Sequence, residues 1–304
     1  MPFLACLATE RMTDMIEARL YEKLDAKLVK CLVCGYECRI KPGNRGVCGV
    51  RENREGTLYA LNYGLTVAAA IDPIEKKPLY HFLPRTRTYS IASVGCNLHC
   101  VWCQNWEISQ SPKPDREIEG VEISPKVHVG RALAYGCPSI SYTYSEPTVY
   151  LEYALETMIL AKAKGLKNIW VTNGFMSQKT LELILPHLDA ANVDYKGPDD
   201  GTYQKYCGGK ADLVMANMMR MHGAGVHLEI TSLIVPGVND KPSQIESMVA
   251  QIATKLGKDI PWHISRFFPA WKMTDSHPTP ISVLETARQI GTRYGIRQIH
   301  LGNV

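Results

Sequence analysis

Downstream of residue 86 the chain alternates short apolar runs with longer stretches whose apolar residues recur at helical spacing. Residues 89–93, 139–143, 168–172, 189–195, 226–235, 262–266 and 298–301 read as strands. Residues 148–164, 177–185, 213–221, 243–255 and 282–294 read as helices. A further helix starts at Ser124-Pro125, with a serine cap and proline at the first helical position, and Gly136 can end it. The elements recur about every 30 residues, the size of a βαβ unit. This predicts a parallel sheet, either open or curled into a full or partial barrel. Functional loops of such a barrel follow the C-terminal strand ends. Polar and Gly/Pro motifs stand at those ends: 95–105, Tyr144-Ser145-Glu146-Pro147, Asn173-Gly174, Lys196-Gly197-Pro198, Pro236-Gly237 and 267–269.

Upstream the rhythm differs. Residues 13–29 carry Met15, Ile16, Leu20, Leu24 and Leu28 on one side of a predicted helix, with Thr13 or Asp14 as its cap. Cysteines then arrive among Gly35, Pro42, Gly43, Gly46 and Gly49, which is loop chemistry. Residues 57–63 and 66–71 read as short strands, and 76–87 is polar and broken by proline. The expected division is an N-terminal region, 1–86, of helix, Cys-rich segment and short strands, followed by a core domain, 87–304.

Composition adds exclusions. With 45% hydrophobic and 21% charged residues the chain is an ordinary globular one. Thirty-four basic against 30 acidic residues leave a net charge of +4, which points to no nucleic-acid partner. No apolar run reaches the length of a membrane span. Glu10, Asp14, Glu17 and Glu22 do not suit a signal peptide, so a cytoplasmic location is expected. Ten cysteines change the picture. Four lie at Cys31, Cys34, Cys38 and Cys48, three at Cys96, Cys100 and Cys103, and Cys6, Cys137 and Cys207 stand alone, read as packing residues. Clustered cysteines in an α/β chain without an export signal point to metal rather than disulfides.

Cys96-Asn-Leu-His-Cys100-Val-Trp-Cys103 has the spacing C-x3-C-x2-C. Thiolates are soft ligands for zinc or iron–sulfur clusters. Three on one loop leave one iron of a 4Fe–4S cube open to a non-protein ligand. Zinc, with His99 or a distant fourth ligand, is the alternative. The motif after the first strand of a βα chain, with Trp102 before its last cysteine, resembles the radical S-adenosylmethionine (SAM) superfamily. Longer stretches resemble the AmmeMemoRadiSam-system radical SAM enzymes, which are similar to activating enzymes of glycyl-radical enzymes such as pyruvate formate-lyase. These are 95–109, Tyr142-Thr-Tyr-Ser-Glu-Pro-Thr148, Val171-Thr-Asn-Gly174, Ile234-Val-Pro-Gly-Val-Asn-Asp240 and Trp262-His-Ile-Ser-Arg-Phe267.

The resemblance implies a partial (β/α)6 barrel and an oxidoreductase. Cys96, Cys100 and Cys103 would hold the cluster, and the amino and carboxylate groups of SAM would chelate the fourth iron. Reductive cleavage would give methionine and a 5′-deoxyadenosyl radical that abstracts hydrogen from a substrate, under anaerobic conditions. Glu146, at the family's Gly-Gly-Glu position, would accept a hydrogen bond from the SAM ammonium, and the small Ser145 would admit the ligand; as a plain helix-entry acid Glu146 would serve the helix dipole. Trp102 and Gln104 would lie near the adenine, though a tryptophan also serves as core. Asp194 and Lys196 are candidates for the ribose or carboxylate, or else a charge pair at a strand end. Asn173 is a polar contact or simply a turn residue. The family often has Phe-His-Pro after the sixth strand; this chain has Phe267-Phe268-Pro269, so His263 or Arg266 would have to substitute.

Cys31-x2-Cys34-x3-Cys38-x9-Cys48 suits a second site, zinc or iron–sulfur. Expected partners are an electron donor such as ferredoxin or flavodoxin and the other two proteins of the AmmeMemoRadiSam system. A glycyl-radical activase is one competing reading, and a non-catalytic, zinc-stabilised binding module is another.

Overall fold

The computed structural model describes residues 16–112 and 117–304. Its N-terminal part is built from short antiparallel strands. β1 (Ile16–Glu17) pairs with β6 (Thr57–Ala60), which also pairs with β5 (Arg51–Arg54). β2 (Tyr21–Lys23), β3 (Val29–Cys31) and β4 (Arg39–Ile40) form a second small sheet. The helix expected from 13 to 29 is therefore not present in the described residues 16–29, and its proposed caps lie outside them. The physical reason is the spacing. Ile16, Leu20, Leu24 and Leu28 are four apart, and four residues fit one face of a strand as well as one face of a helix. Pairing decided the matter, with Leu24 N–H bonded to Leu28 O at 2.8 Å across a tight turn.

β7 (Leu65–Thr66) pairs with β10 (Val121–Glu122), and β8 (Ala68–Pro73) enters the large sheet. That sheet holds β9 (Arg87–Ala92), β11 (Ser139–Tyr142), β12 (Lys167–Thr172), β13 (Ala190–Asp194), β14 (His227–Ile234), β15 (Trp262–Arg266) and β16 (Ile299–Gly302) in sequence order. All of these run parallel; β8 lies antiparallel against β9 at one edge. Six β/α units and a closing strand make the expected partial barrel, open between β8 and β16. A division at residue 86 cuts through the β8–β9 pair, so the sheet takes one strand from the region assigned to the N-terminal part.

The crossovers carry α1 (Trp106–Ser109), α2 (Pro125–Ala134), α3 (Leu151–Ala163), α4 (Gln178–Ile184), α5 (Asp200–Tyr206), α6 (Ala211–Gly223), α7 (Pro242–Lys255) and α8 (Ile281–Arg293). Ser124 caps α2 and Ser177 caps α4, each accepting a backbone N–H three residues on. The helix expected from 148 opens instead as a 3-10 turn, Pro147–Tyr150, capped by Glu146.

Side chains alternate along each strand. Asn192 and Asp194, Glu229, Thr231 and Leu233, and His263 and Ser265 share the inward face. At the N-terminal end this face is filled by the 74–86 connection. Asn192 Nδ2 donates to Pro78 O at 2.8 Å, and Glu229 accepts the backbone N–H of Tyr80 at 3.1 Å and of His81 at 2.8 Å. Ile74 and Leu79 pack there on Ile169 and Ala190. The interior is thus closed below and open above, at the strand ends. No helix of the described residues is long and apolar enough to cross a membrane.

Candidate active site

The C-terminal strand ends surround a cavity of ≈ 540 Å³. Cys96, Cys100 and Cys103 line it, from the loop after β9. That loop is pressed on the N-terminal part: a Cβ on Gly95 (φ 105) would stand 3.0 Å from Val50 Cγ1 and 3.2 Å from Cys48 O. Cys96 Sγ accepts Leu98 N–H at 3.3 Å and faces Asn173 Nδ2 at 3.6 Å. Cys103 Sγ lies 3.2 Å from Ser109 Oγ. Burial and the nearby Glu146 raise the Cys96 thiol. Cys100 is lowered, first by a hydrogen bond from the Cys207 thiol and then, against burial, by the charge of Lys196. Donors already directed at sulfur suit thiolate ligands, and three such thiols around one cavity fit a cluster with an open iron.

The other residues singled out in the sequence, Trp102, Gln104, Ser145, Glu146, Asn173, Asp194 and Lys196, line the same cavity. Trp102 is buried, its ring 6.2 Å from that of Tyr206, and Gln104 sits exposed at the rim. Ser145 Oγ donates to Ser93 O. Glu146 is buried and heavily bonded. Its Oε1 accepts Thr148 N–H at 3.1 Å and the hydroxyls of Thr148 and Thr172 at 2.6 and 2.7 Å, and its Oε2 accepts Asn173 N–H at 2.8 Å. Burial nevertheless holds its pKa above the usual carboxylate range. Only Oε2 keeps a lone pair for a ligand; the rest of the carboxylate ties β11 to the turn after β12. Lys196 Nζ bonds Asp194 Oδ2 at 2.9 Å. Burial alone would lower Lys196, but Asp194 and the cysteine sulfurs hold its proton well above the ordinary value.

Neither His263 nor Arg266 lines the cavity. His263 Nε2 bonds Glu229 Oε2 at 2.7 Å in the barrel floor, and Arg266 donates to Thr279 O and covers the Phe268 ring at 5.1 Å. The position lacking the family's histidine is thus not compensated by either. Cys207, expected to be a packing residue, is buried in the core and also lies against Cys100. Cys137 is buried, and Cys6 falls outside the described residues.

Three features escaped sequence reading. Asn97 is fully buried, accepting Asn173 Nδ2 at 2.8 Å and donating to Phe175 O at 3.0 Å. Its place inside the cysteine motif was the available signal. Asp72 accepts Lys77 Nζ at 2.7 Å and the Tyr144 hydroxyl, and Lys77 Nζ lies 4.2 Å from the Tyr144 ring centroid. Both Lys77 and Tyr144 line the cavity. Nothing in the polar, proline-broken stretch at 76–87 marked Lys77. Asn105 Nδ2 donates to Tyr144 O at 2.8 Å and joins the two loops.

The model of the Radical SAM superfamily matches residues 90–249, from the first parallel strand to α7. The chain belongs to the radical SAM superfamily. An uncharacterized protein of Methanocaldococcus jannaschii, MJ0808, is 45% identical over 290 residues, 95% of this chain and 86% of that one. The (2S)-3-sulfopropanediol dehydratase activating enzyme of Klebsiella oxytoca is 22% identical over 121 residues, 40% of this chain and 38% of that one. A radical SAM methyltransferase from Sphaerobacter thermophilus shares the fold, with TM-score 0.54, 15% identity and coverage of 72% of this chain and 67% of that one. Streptococcus suis SuiB, bound to S-adenosylmethionine, superposes with TM-score 0.53 at 16% identity, covering 69% of this radical SAM chain and 48% of SuiB. Membership of the family implies a 4Fe–4S cluster and SAM, and the chain presents three cavity-lining thiols to hold the former.

Proposed function

We propose that this radical SAM protein cleaves SAM reductively in the cavity over the barrel and directs the resulting radical to a substrate of the AmmeMemoRadiSam system. The observation that carries the reading is the convergence of the three thiols with Glu146, Asn173, Asp194 and Lys196 on one cavity. When bound, the cluster and SAM supply one electron and a 5′-deoxyadenosyl group as hydrogen acceptor. Cys96, Cys100 and Cys103 ligate. Glu146 Oε2 is left to accept an ammonium donor, and Lys196 keeps a cation beside the ligating sulfurs. Trp102 offers an apolar wall, and the 74–86 floor excludes water from below. The reductant is a low-potential carrier such as ferredoxin or flavodoxin, and the setting is cytoplasmic and anaerobic.

A second reading, abstraction from a glycine of a protein partner, is favoured by the similarity to the Klebsiella activating enzyme. Anaerobic reconstitution with iron, sulfide, SAM and a reductant tests the chemistry. It should yield 5′-deoxyadenosine, and alanine at Cys96, Cys100 or Cys103 should abolish it. No 5′-deoxyadenosine from the fully loaded protein, with or without candidate partners, would refute the proposal.

A further inference from the structure

Cys31, Cys34, Cys38 and Cys48, expected to share a second metal site, stand around one small pocket of their own, outside the active cavity. Within the active cavity a different group has no task yet. Lys76, Lys77 and Pro78 are the part of the 74–86 connection that lines it. They belong to the floor: Pro78 O takes the Asn192 amide at 2.8 Å, and the neighbouring Tyr80 and His81 are held by Glu229. The three thiols enter from the other end, on the loop after β9.

Lys77 is 1% exposed. Its ammonium has three N–H groups. One is donated to Asp72 Oδ2 at 2.7 Å, and Nζ lies 4.2 Å from the centroid of the Tyr144 ring. No second acceptor among the described residues bonds it. Nor is its charge its own partner's only concern. Asp72 Oδ1 accepts Lys76 Nζ at 2.8 Å, and Oδ2 also accepts the Tyr144 hydroxyl. Two lysines therefore share one carboxylate. Elsewhere on the wall Lys196 has Asp194, and Glu146 Oε2 is kept for an ammonium in the reading above. One positive charge of the floor is left without a counter-ion. Burial lowers the Lys77 pKa, and Asp72 offsets this only in part. A buried cation with donors to spare is costly unless an acceptor meets it.

Tyr144 is fitted to this arrangement. It has φ 66, a conformation that tyrosine seldom takes. From there it sends its hydroxyl to Asp72 and sets its ring against the ammonium. Strain of this kind persists where the surroundings over-determine it.

We infer that Lys77, held by Asp72 and Tyr144, binds an anionic group of the substrate, a carboxylate or a phosphate, on the cavity floor. Lysine meets such a group as a compact point charge. Lys76, on the same stretch and more exposed, adds a second cation. An anchor on the floor turns the other end of the substrate towards the thiols, where hydrogen is abstracted. The inference rests on the reading of this cavity as the site of SAM cleavage, and it names the charge of the substrate.

The test follows the Lys77 ammonium signal by nuclear magnetic resonance, in the isotopically labelled, cluster-loaded full chain under anaerobic conditions. The signal is assigned through its bonded side-chain carbons, so this measurement needs no variant to fold. Acetate and inorganic phosphate are added separately, with ionic strength held constant by chloride. One of them should shift the signal saturably, and the tighter of the two names the class. The shift should persist with SAM bound. Lys77→Met should weaken the same anion by about tenfold or more in calorimetry. No shift with either anion would overturn the inference. So would a shift that SAM abolishes, because Lys77 would then serve the cofactor. Formation of 5′-deoxyadenosine, measured without these anions, reports separately on the SAM reading.

Discussion

His128 shows how far a single buried side chain can tie stability to pH. Its Nε2 lies 3.0 Å from Thr66 Oγ1 and 2.6 Å from the Tyr153 hydroxyl, and burial, aided by the Arg131 charge, pushes its pKa down to about 3. The unfolded chain takes up this proton near pH 6.5, while the folded chain stays neutral down to about 3. The stability is therefore full above about pH 6.5 and falls as pH drops through that window. Replacing His128 by Gln should flatten the fall by as much as ~1.4 kcal/mol per pH unit, read from denaturant midpoints between neutral and mildly acidic pH. Equal slopes in the two proteins would contradict the assignment. At this scale the sequence was uneven. Thiol spacing declares itself in any residue string, and so does the helix-entry place from which Glu146 accepts both bonds of Thr148, whereas its bonds from Thr172 and Asn173 come from the next strand and its turn, and no local pattern encodes them.

Elements explain where the loops stand. The C-x3-C-x2-C loop is clasped to the turn after β12 by Asn97 and Asn173, and that turn is itself bridged to the four-cysteine segment. Removing the clasp with Asn97→Ala takes one of two partners from Asn173 Nδ2, which keeps Cys96 Sγ, and one of two from Phe175 O, which keeps Gly35 N–H, at a cost of about 1 kcal/mol. Cluster retention should suffer more than folding does. Iron release to a chelator should quicken and 5′-deoxyadenosine formation fall by about 10–100-fold, the usual range for residues that orient metal ligands. Unchanged iron release would show that the loop holds its shape alone. Alternation of strand and helix was readable because each strand is bounded by turn residues and each helix carries its own apolar face. The region from 16 to 31 was not, because a four-residue apolar spacing satisfies both periods and only pairing with distant strands chooses between them.

For the molecule as a whole, the two ends of the barrel do different work. Above, open strand ends carry the chemistry. Below, Glu229 gathers the floor: its oxygens accept two backbone N–H groups of the 74–86 connection and the imidazoles of His227 and His263, at 3.0 and 2.7 Å. Burial alone would raise this carboxyl, but the two histidines and the backbone donors bring it down to about 2. Its contribution is accordingly present above the ordinary glutamate pKa and is lost as pH falls towards about 2. Glu229→Gln should destabilise the protein by about 3 kcal/mol and hasten amide exchange at Tyr80 and His81. Protection unchanged at those amides would mean the floor is held otherwise. Sequence reading could not supply this floor, since Tyr80 and Glu229 are 149 positions apart.

The floor also has a place in time. Residues 74–86 are pinned at both ends, by β8 and by β9, and they touch β13, β14 and β16, all of which come later in the chain. The contacts of this stretch reach residues made 114 to 219 positions later, so during synthesis it waits, without its partners, until β16 has been made.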